Sequence, residues 1–254
     1  MFKFNTHKKN KIIFFSAIDG VAETNPIQEA SKFKFNWVEA AKEDYRKRAD
    51  ELKGKNPHIY RCPGIFDLMS TGYIVPLSWD VIIETQGDDA EFSWTLPTGI
   101  FEKMLNSKIV DGHFPEGIAK HLPKKPGSLS AIVKINSPWH VVAPEGVKFL
   151  VIPLPYPDDF SFEHTHGILD PSISTETNLQ FRWNKLNGTH MLKAGTPMCQ
   201  LIPLSSEKFD LEVRDATEED KEWLKKRLYI NNHTFVVKRP SIKAAYTKFL
   251  SRWM

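Results

Sequence analysis

The residues best equipped for chemistry lie in one short run, Phe162-Glu163-His164-Thr165-His166-Gly167-Ile168-Leu169-Asp170-Pro171. Side chains two apart on a β-strand share a face, so His164 and His166 could both offer imidazole nitrogen to one divalent metal. Asp170 would add a carboxylate, as would Glu163 if the backbone bends, while a third histidine, His140 or His190, would have to arrive by folding alone. The competing reading needs no cofactor. Here a strand enters a tight turn, one histidine is exposed, and the other packs beside it. An Asp-Pro pair opens such turns because the carboxylate accepts nearby backbone N–H groups.

Two later residues bear on a ligand site. Gly195, in Lys193-Ala194-Gly195, reads either as a turn glycine with positive φ or as a ligand contact. Gln200 lies inside the apolar run Met198 to Pro203, where a buried amide must find partners. It either ties two strands together or reads a ligand. Cys62 and Cys199 lack metal-ligand spacing and read as reduced thiols rather than a disulfide or zinc pair. The nucleotide-binding glycine loops, the Gly-x-Ser-x-Gly elbow and His-Glu-x-x-His are absent from the sequence.

Such residues must be positioned by a scaffold, and its elements are largely strands. Strands are expected at Ile12 to Phe15, Tyr73 to Leu77, Trp79 to Glu84, Glu91 to Trp94, Ser130 to Ile135, Trp139 to Val142, Val147 to Pro153, Leu179 to Trp183 and Met198 to Pro203. Gln86 to Asp89, Pro144 to Gly146, Asn187-Gly188 and Lys193 to Gly195 supply turns. Trp37 to Leu52 has helical periodicity and is stopped by Gly54 and Pro57, and Phe66 to Ser70 makes a single helical turn. Thr98 to Gly127, rich in Gly, Pro and Lys, reads as a long excursion. Thr217-Glu218-Glu219-Asp220 caps a helix ending near Leu228, and Ser241 to Trp253 forms another with Tyr246, Phe249, Leu250 and Trp253 on one face.

The expected class is α+β and β-rich, with a mostly antiparallel core that is β-clip-like or a distorted barrel or sandwich. The aromatic residues Tyr73, Trp79, Trp94, Trp139, Phe181 and Trp183 belong to its core. Three units are expected: 1–57 packing on the core, 58–210 forming it, and 211–254 as a helical extension. With 41% hydrophobic and 26% charged residues among 254, the chain has a folded composition. No apolar run reaches membrane-spanning length, and the apolar part of the N-terminus runs into Asp19, so a first strand is read rather than a signal peptide. A net charge of +3 gives no case for nucleic-acid binding. The expected location is the cytoplasm.

Arg61-Cys62-Pro63, Gly72-Tyr73-Ile74-Val75, Ser137 through Pro157, Gly167-Ile168-Leu169-Asp170 and Leu192 through Phe209 occur in an order that resembles an uncharacterised domain family of tailed bacteriophages and bacteria. That resemblance implies a phage setting, host cytoplasm or virion, and no particular chemistry. More distantly, Pro-x-Gly before a strand, then Gly-Ile-Leu-Asp, then Lys-x-Gly with Gln-Leu-Ile following, is similar to the β-clip fold of dUTPases and dCTP deaminases. This resemblance implies a pyrimidine nucleotide site at Gly167, Asp170, Gly195 and Gln200. The chain departs from it at Gln180, which stands where the deaminases carry a catalytic glutamate, and an amide cannot exchange that proton. Pro153-Leu154-Pro155-Tyr156-Pro157 replaces the phosphate-binding segment, the tyrosine after the aspartate is missing, and no glycine-rich arm follows. The His-x-His pattern is also similar to the first metal motif of cupins, without its framing glycines.

Three expectations follow. The first is a non-catalytic accessory or structural protein of phage type, whose β core binds a protein partner, a second copy or a small ligand. The second is a pyrimidine nucleotide hydrolase or deaminase, and the third a metal-dependent, oxygenase-like enzyme using His164, His166 and Asp170. No cofactor is required by the first.

Overall fold

The computed structural model describes residues 10–48, 51, 58–87, 91–97 and 109–234. The helix expected from Ser241 to Trp253, the Gly54 and Pro57 stop and the first part of the Thr98 excursion lie outside these residues. Strands dominate, in four sheets, and none of them closes into a barrel. In the first sheet β1 (Lys11–Ser16) lies between β8 (Trp139–Val142) and β15 (Asp210–Asp215). It is parallel to β15 and antiparallel to β8, so the two ends of the described chain meet in one sheet. The second has the order β10 (Phe162–His164), β12 (Leu179–Trp183), β7 (Ile132–Ile135), β6 (Val110–His113). In the third, β11 (Gly167–Leu169), β9 (Phe149–Ile152), β14 (Pro197–Pro203), β3 (Tyr73–Pro76) and β2 (Gln28–Glu29) follow one another. β13 (Asn187–Leu192), β4 (Val81–Gln86) and β5 (Phe92–Thr95) make the fourth.

Alternation explains which faces are buried. In β12, Leu179, Phe181 and Trp183 are buried while Gln180 and Arg182 are not; each of the three inward side chains contributes about 1.5–3 kcal/mol by leaving water. They join Phe14, Trp139, Phe149 and Leu201 in one core that all four sheets share. Several boundaries differ from expectation. β4 starts at Val81 rather than Trp79, because Asp80 accepts the Ala194 N–H (2.7 Å) and turns the chain there. Asn187-Gly188 opens β13 instead of being only a turn, since its register with β4 runs from Asn187 opposite Gln86. β15, in Asp-Leu-Glu-Val-Arg-Asp, hides a strand among charges; as an edge strand it keeps only Leu211 and Val213 against the core.

Four α-helices complete the described chain: α1 (Val21–Thr24), α2 (Asn36–Lys47), α3 (Pro63–Ser70) and α4 (Glu218–Thr234). α2 is shorter than its periodicity predicts, and α3 begins earlier than expected, with Pro63 in its first turn. α4 starts as expected. Thr217 Oγ1 accepts the Asp220 N–H (3.2 Å), while Asp220 Oδ2 accepts the Thr217 N–H (2.8 Å), a reciprocal capping box. Asp220 is 1% exposed and also pairs with Arg214, whose guanidinium lies over the Phe15 ring at 5.7 Å. Burial works to raise the Asp220 pKa, but the Arg214 and Thr217 hydrogen bonds together hold it below its ordinary 3.8. Asp220→Ala removes the cap and leaves Arg214 without its best partner. Denaturant titration is expected to give a loss of about 2–3 kcal/mol at pH 7; a loss within 0.5 kcal/mol, roughly what a neutral surface change gives, would disprove this anchoring role.

Candidate functional site

The structure separates the residues that the sequence groups together. β10 ends at His164 and β11 begins at Gly167 in another sheet, so residues 165 and 166 cross between sheets instead of continuing one strand. The two histidines therefore do not share a face: His164 is 4% exposed, whereas His166 is exposed. Both His164 nitrogens are engaged. Nδ1 is 2.6 Å from the Thr165 carbonyl oxygen and donates to it, and Nε2 accepts the Gln180 N–H at 3.2 Å. That assigns a neutral imidazole with its proton on Nδ1. Burial pushes its pKa down to about 4. Glu163 pairs with Lys125. Among the described residues no group of three or more His, Cys, Asp or Glu side chains gathers around a point suited to a metal ion.

Asp170 forms its own turn. Oδ1 accepts the Ser172 N–H (3.0 Å) and hydroxyl (2.6 Å), and Oδ2 meets Lys148 Nζ at 3.0 Å. The Ser172 hydroxyl, followed by the Lys148 ammonium, holds its pKa below the ordinary value. Gly167 is exposed at the start of β11, and a side chain there would meet open space. Gly195 has φ +84° in the turn before β14, and its N–H donates to the Leu77 carbonyl (2.8 Å). Gln200, 0% exposed, points its Nε2 at the carbonyls of Leu68 (2.7 Å) and Thr71, tying β14 to the end of α3. Asp170, Gly195 and Gln200 serve three separate structural tasks, and none of the four lines the cleft described next. Cys199 is buried, which pushes its thiol up to about 12 and keeps it protonated.

A cleft of about 530 Å³ does form, bounded by residues 33–36 and 153–163 and by the start of β14. Its volume falls in the range of small-ligand sites. Phe33, Phe35, Leu154, Phe162 and Met198 make it apolar, and Lys34, Lys125, Asp158, Asp159 and Glu163 ring it. Both flanks of the 153–163 segment are fastened. Trp37 Nε1 donates to the Tyr156 carbonyl (3.1 Å), Asp158 Oδ2 accepts the first N–H of α2 from Asn36 (3.3 Å), and Asn184 Nδ2 donates to the Phe160 carbonyl (3.0 Å). Between these ties Tyr156 adopts φ +52°, a conformation unfavourable for a non-glycine residue, and Phe160 is left 72% exposed. Held strain and an uncovered aromatic ring are features that binding loops share. Reading the sequence alone missed this site. Its signals were the isolated aromatic in Tyr-Pro-Asp-Asp-Phe and the prolines that forbid strand continuation. Compared with family models, with curated proteins and with solved structures, the chain finds no match.

Proposed function

We propose that this chain is a non-catalytic binding protein, an accessory or structural component of phage type, whose β core holds a partner protein in the cleft between residues 33–36 and 153–163. One observation carries the reading: a preformed cleft with a fastened, strained loop lies away from Gly167, Asp170, Gly195 and Gln200, and of the metal candidates His164, His166 and Asp170 only His164 lines it. Asp170 is engaged in its own turn, Gly195 in the turn that leads into β14 and Gln200 in a helix tie, and the His164 ring nitrogens are both occupied. The resemblance of Arg61 to Phe209 to a phage domain family supports the setting.

A photoreactive phenylalanine analogue at position 160, irradiated in an extract of cells that make the protein, is expected to yield one polypeptide adduct. The same analogue at position 191, an exposed site on β13, serves as control and is expected to yield none. In parallel, the pure protein is expected to leave dUTP and dCTP intact in the presence of magnesium. Identical adducts at both positions, no adduct at 160, or turnover of either nucleotide would overturn the proposal, the last in favour of the nucleotide enzyme.

A further inference from the structure

We infer that the cleft takes its partner as an extended polypeptide segment that adds to the free edge of β10 as a further strand and presents lysine or arginine side chains to the cleft's rim. The inference rests on the cleft reading above and says which chemistry fills it. It starts from the alternation of main-chain groups along β10. Ser161 accepts the Asn184 N–H (2.7 Å), Glu163 stands opposite Arg182, and Thr165 donates to the Gln180 carbonyl (2.7 Å). In an antiparallel strand the N–H and C=O of one residue point to the same side, and the side alternates with each residue. Phe162 and His164 therefore turn their N–H and C=O groups away from β12.

No strand pairs on that side among the described residues. β10 is the edge of its sheet, and no main-chain group of Phe162 or His164 is bonded there. Yet both residues are buried, at 8% and 4% exposure, and both line the cleft. Main-chain donors and acceptors at buried residues are nearly always paired, so this edge is poised for a partner. Space for it exists because β9 stops short. β9 bonds to β14 only from Gln200 onward, and Pro153, Pro155 and Pro157 lead the chain away, leaving the Pro197–Met198 end of β14 without a β9 neighbour. An added strand would hydrogen-bond through its backbone and send alternate side chains to Leu154, Phe162 and Met198.

Charge sets the rest of the specificity. Asp158 and Asp159 each hold a backbone N–H, of Asn36 and Ser161, and neither is ion-paired among the described residues. With Glu163 they place three carboxylates against two ammonium groups, Lys34 and Lys125, on a chain whose net charge is +3. A basic segment is attracted, and a nucleic-acid backbone is repelled. Pairing β10 with β10 of a second copy would bring the two acidic rims together, which disfavours that occupant.

The test uses a capped heptapeptide alternating valine and lysine, two versions N-methylated at either all valines or all lysines, and a valine–glutamate analogue. Amide hydrogen exchange is read by NMR on the full chain. In the free protein, Phe162 and His164 are expected to exchange faster than Glu163. Saturating valine–lysine peptide is expected to slow both by about tenfold or more and leave Glu163 little changed. One N-methylated version is expected to give no slowing, and the glutamate analogue to bind about tenfold or more weakly than the lysine peptide. Asp158→Lys should erase that preference. No binding of the lysine peptide, equal protection by both N-methylated versions, or self-association through β10 would each overturn the inference. Peptide binding that shifts Phe160 and Met198 without slowing Phe162 and His164 would overturn the added strand alone and leave the cleft as the binding site.

Discussion

Gly72→Ala is expected to abolish folding at ordinary temperature, with a stability loss above about 4 kcal/mol. Gly72 links α3 to β3 at φ +79°, and a Cβ built there would lie 2.1 Å from the Leu201 carbonyl oxygen and 3.0 Å from Ile202 Cα. The left-handed conformation by itself costs an alanine about 1–2 kcal/mol. The clash cannot relax cheaply, since the obstructing atoms are backbone of β14, which is bonded to β3 on one side and β9 on the other. Moving the glycine instead would break the bond from the Ala30 N–H to its carbonyl (2.8 Å). Gly64→Ala is the control, because a Cβ there meets nothing within 4 Å and its φ lies outside the left-handed range. Urea titration of both variants checks this. A folded Gly72→Ala protein within about 1 kcal/mol of the parent would mean that β14 does not lie over this turn as described.

Acidification is expected to cost the fold roughly 3 kcal/mol between pH 6.5 and pH 4 through His164 alone. Burial holds its folded pKa at about 4, against an ordinary value of 6.5, and the hydrogen bonds around it offset only part of that shift. The sign follows from proton counting. Below pH 6.5 the unfolded chain takes up a proton that the folded chain refuses until about pH 4, so stability falls across that window and is complete above it. Asp170 and Asp220 have lowered pKa values, so their contributions are present above the ordinary 3.8 and fade only as pH falls below it. The two effects are thus separable by pH. Unfolding free energies of the parent and of His164→Gln, measured at intervals from pH 7 to pH 4, are expected to converge as pH falls, by up to about 1.4 kcal/mol per pH unit near pH 5. Parallel curves would show that His164 titrates normally and that its ring is not held between Thr165 and Gln180.

Local signals were legible where one short stretch decides its own structure. The Thr217 to Asp220 cap is complete within four residues, and β12 declares its inner face by strict alternation. The turn reading of Asp170 was equally local, because Ser172 lies two residues away. Whether His164 and His166 share a face stayed open in the sequence, because alternation holds only while a strand continues, and the structure gives the reading in which one is exposed and the other packs beside the turn. Whether the strand continues depends on Trp183, Arg182 and Phe181, which pair with β10, and on Val151, Leu150 and Phe149, which pair with β11.

The sequence by itself determined the β-rich class, most strands to within a few residues, the starts of α2 and α4 and the aromatic core, because burial pattern and capping are properties of neighbouring residues. Only the tertiary structure decided where function can reside. The cleft joins Phe33–Asn36, Asp158–His164 and Pro197–Met198, segments brought together by sheet order and by long-range ties such as Trp37 to Tyr156. The free edge of β10 depends on which strands are absent beside it, and no local pattern encodes the absence of a distant neighbour.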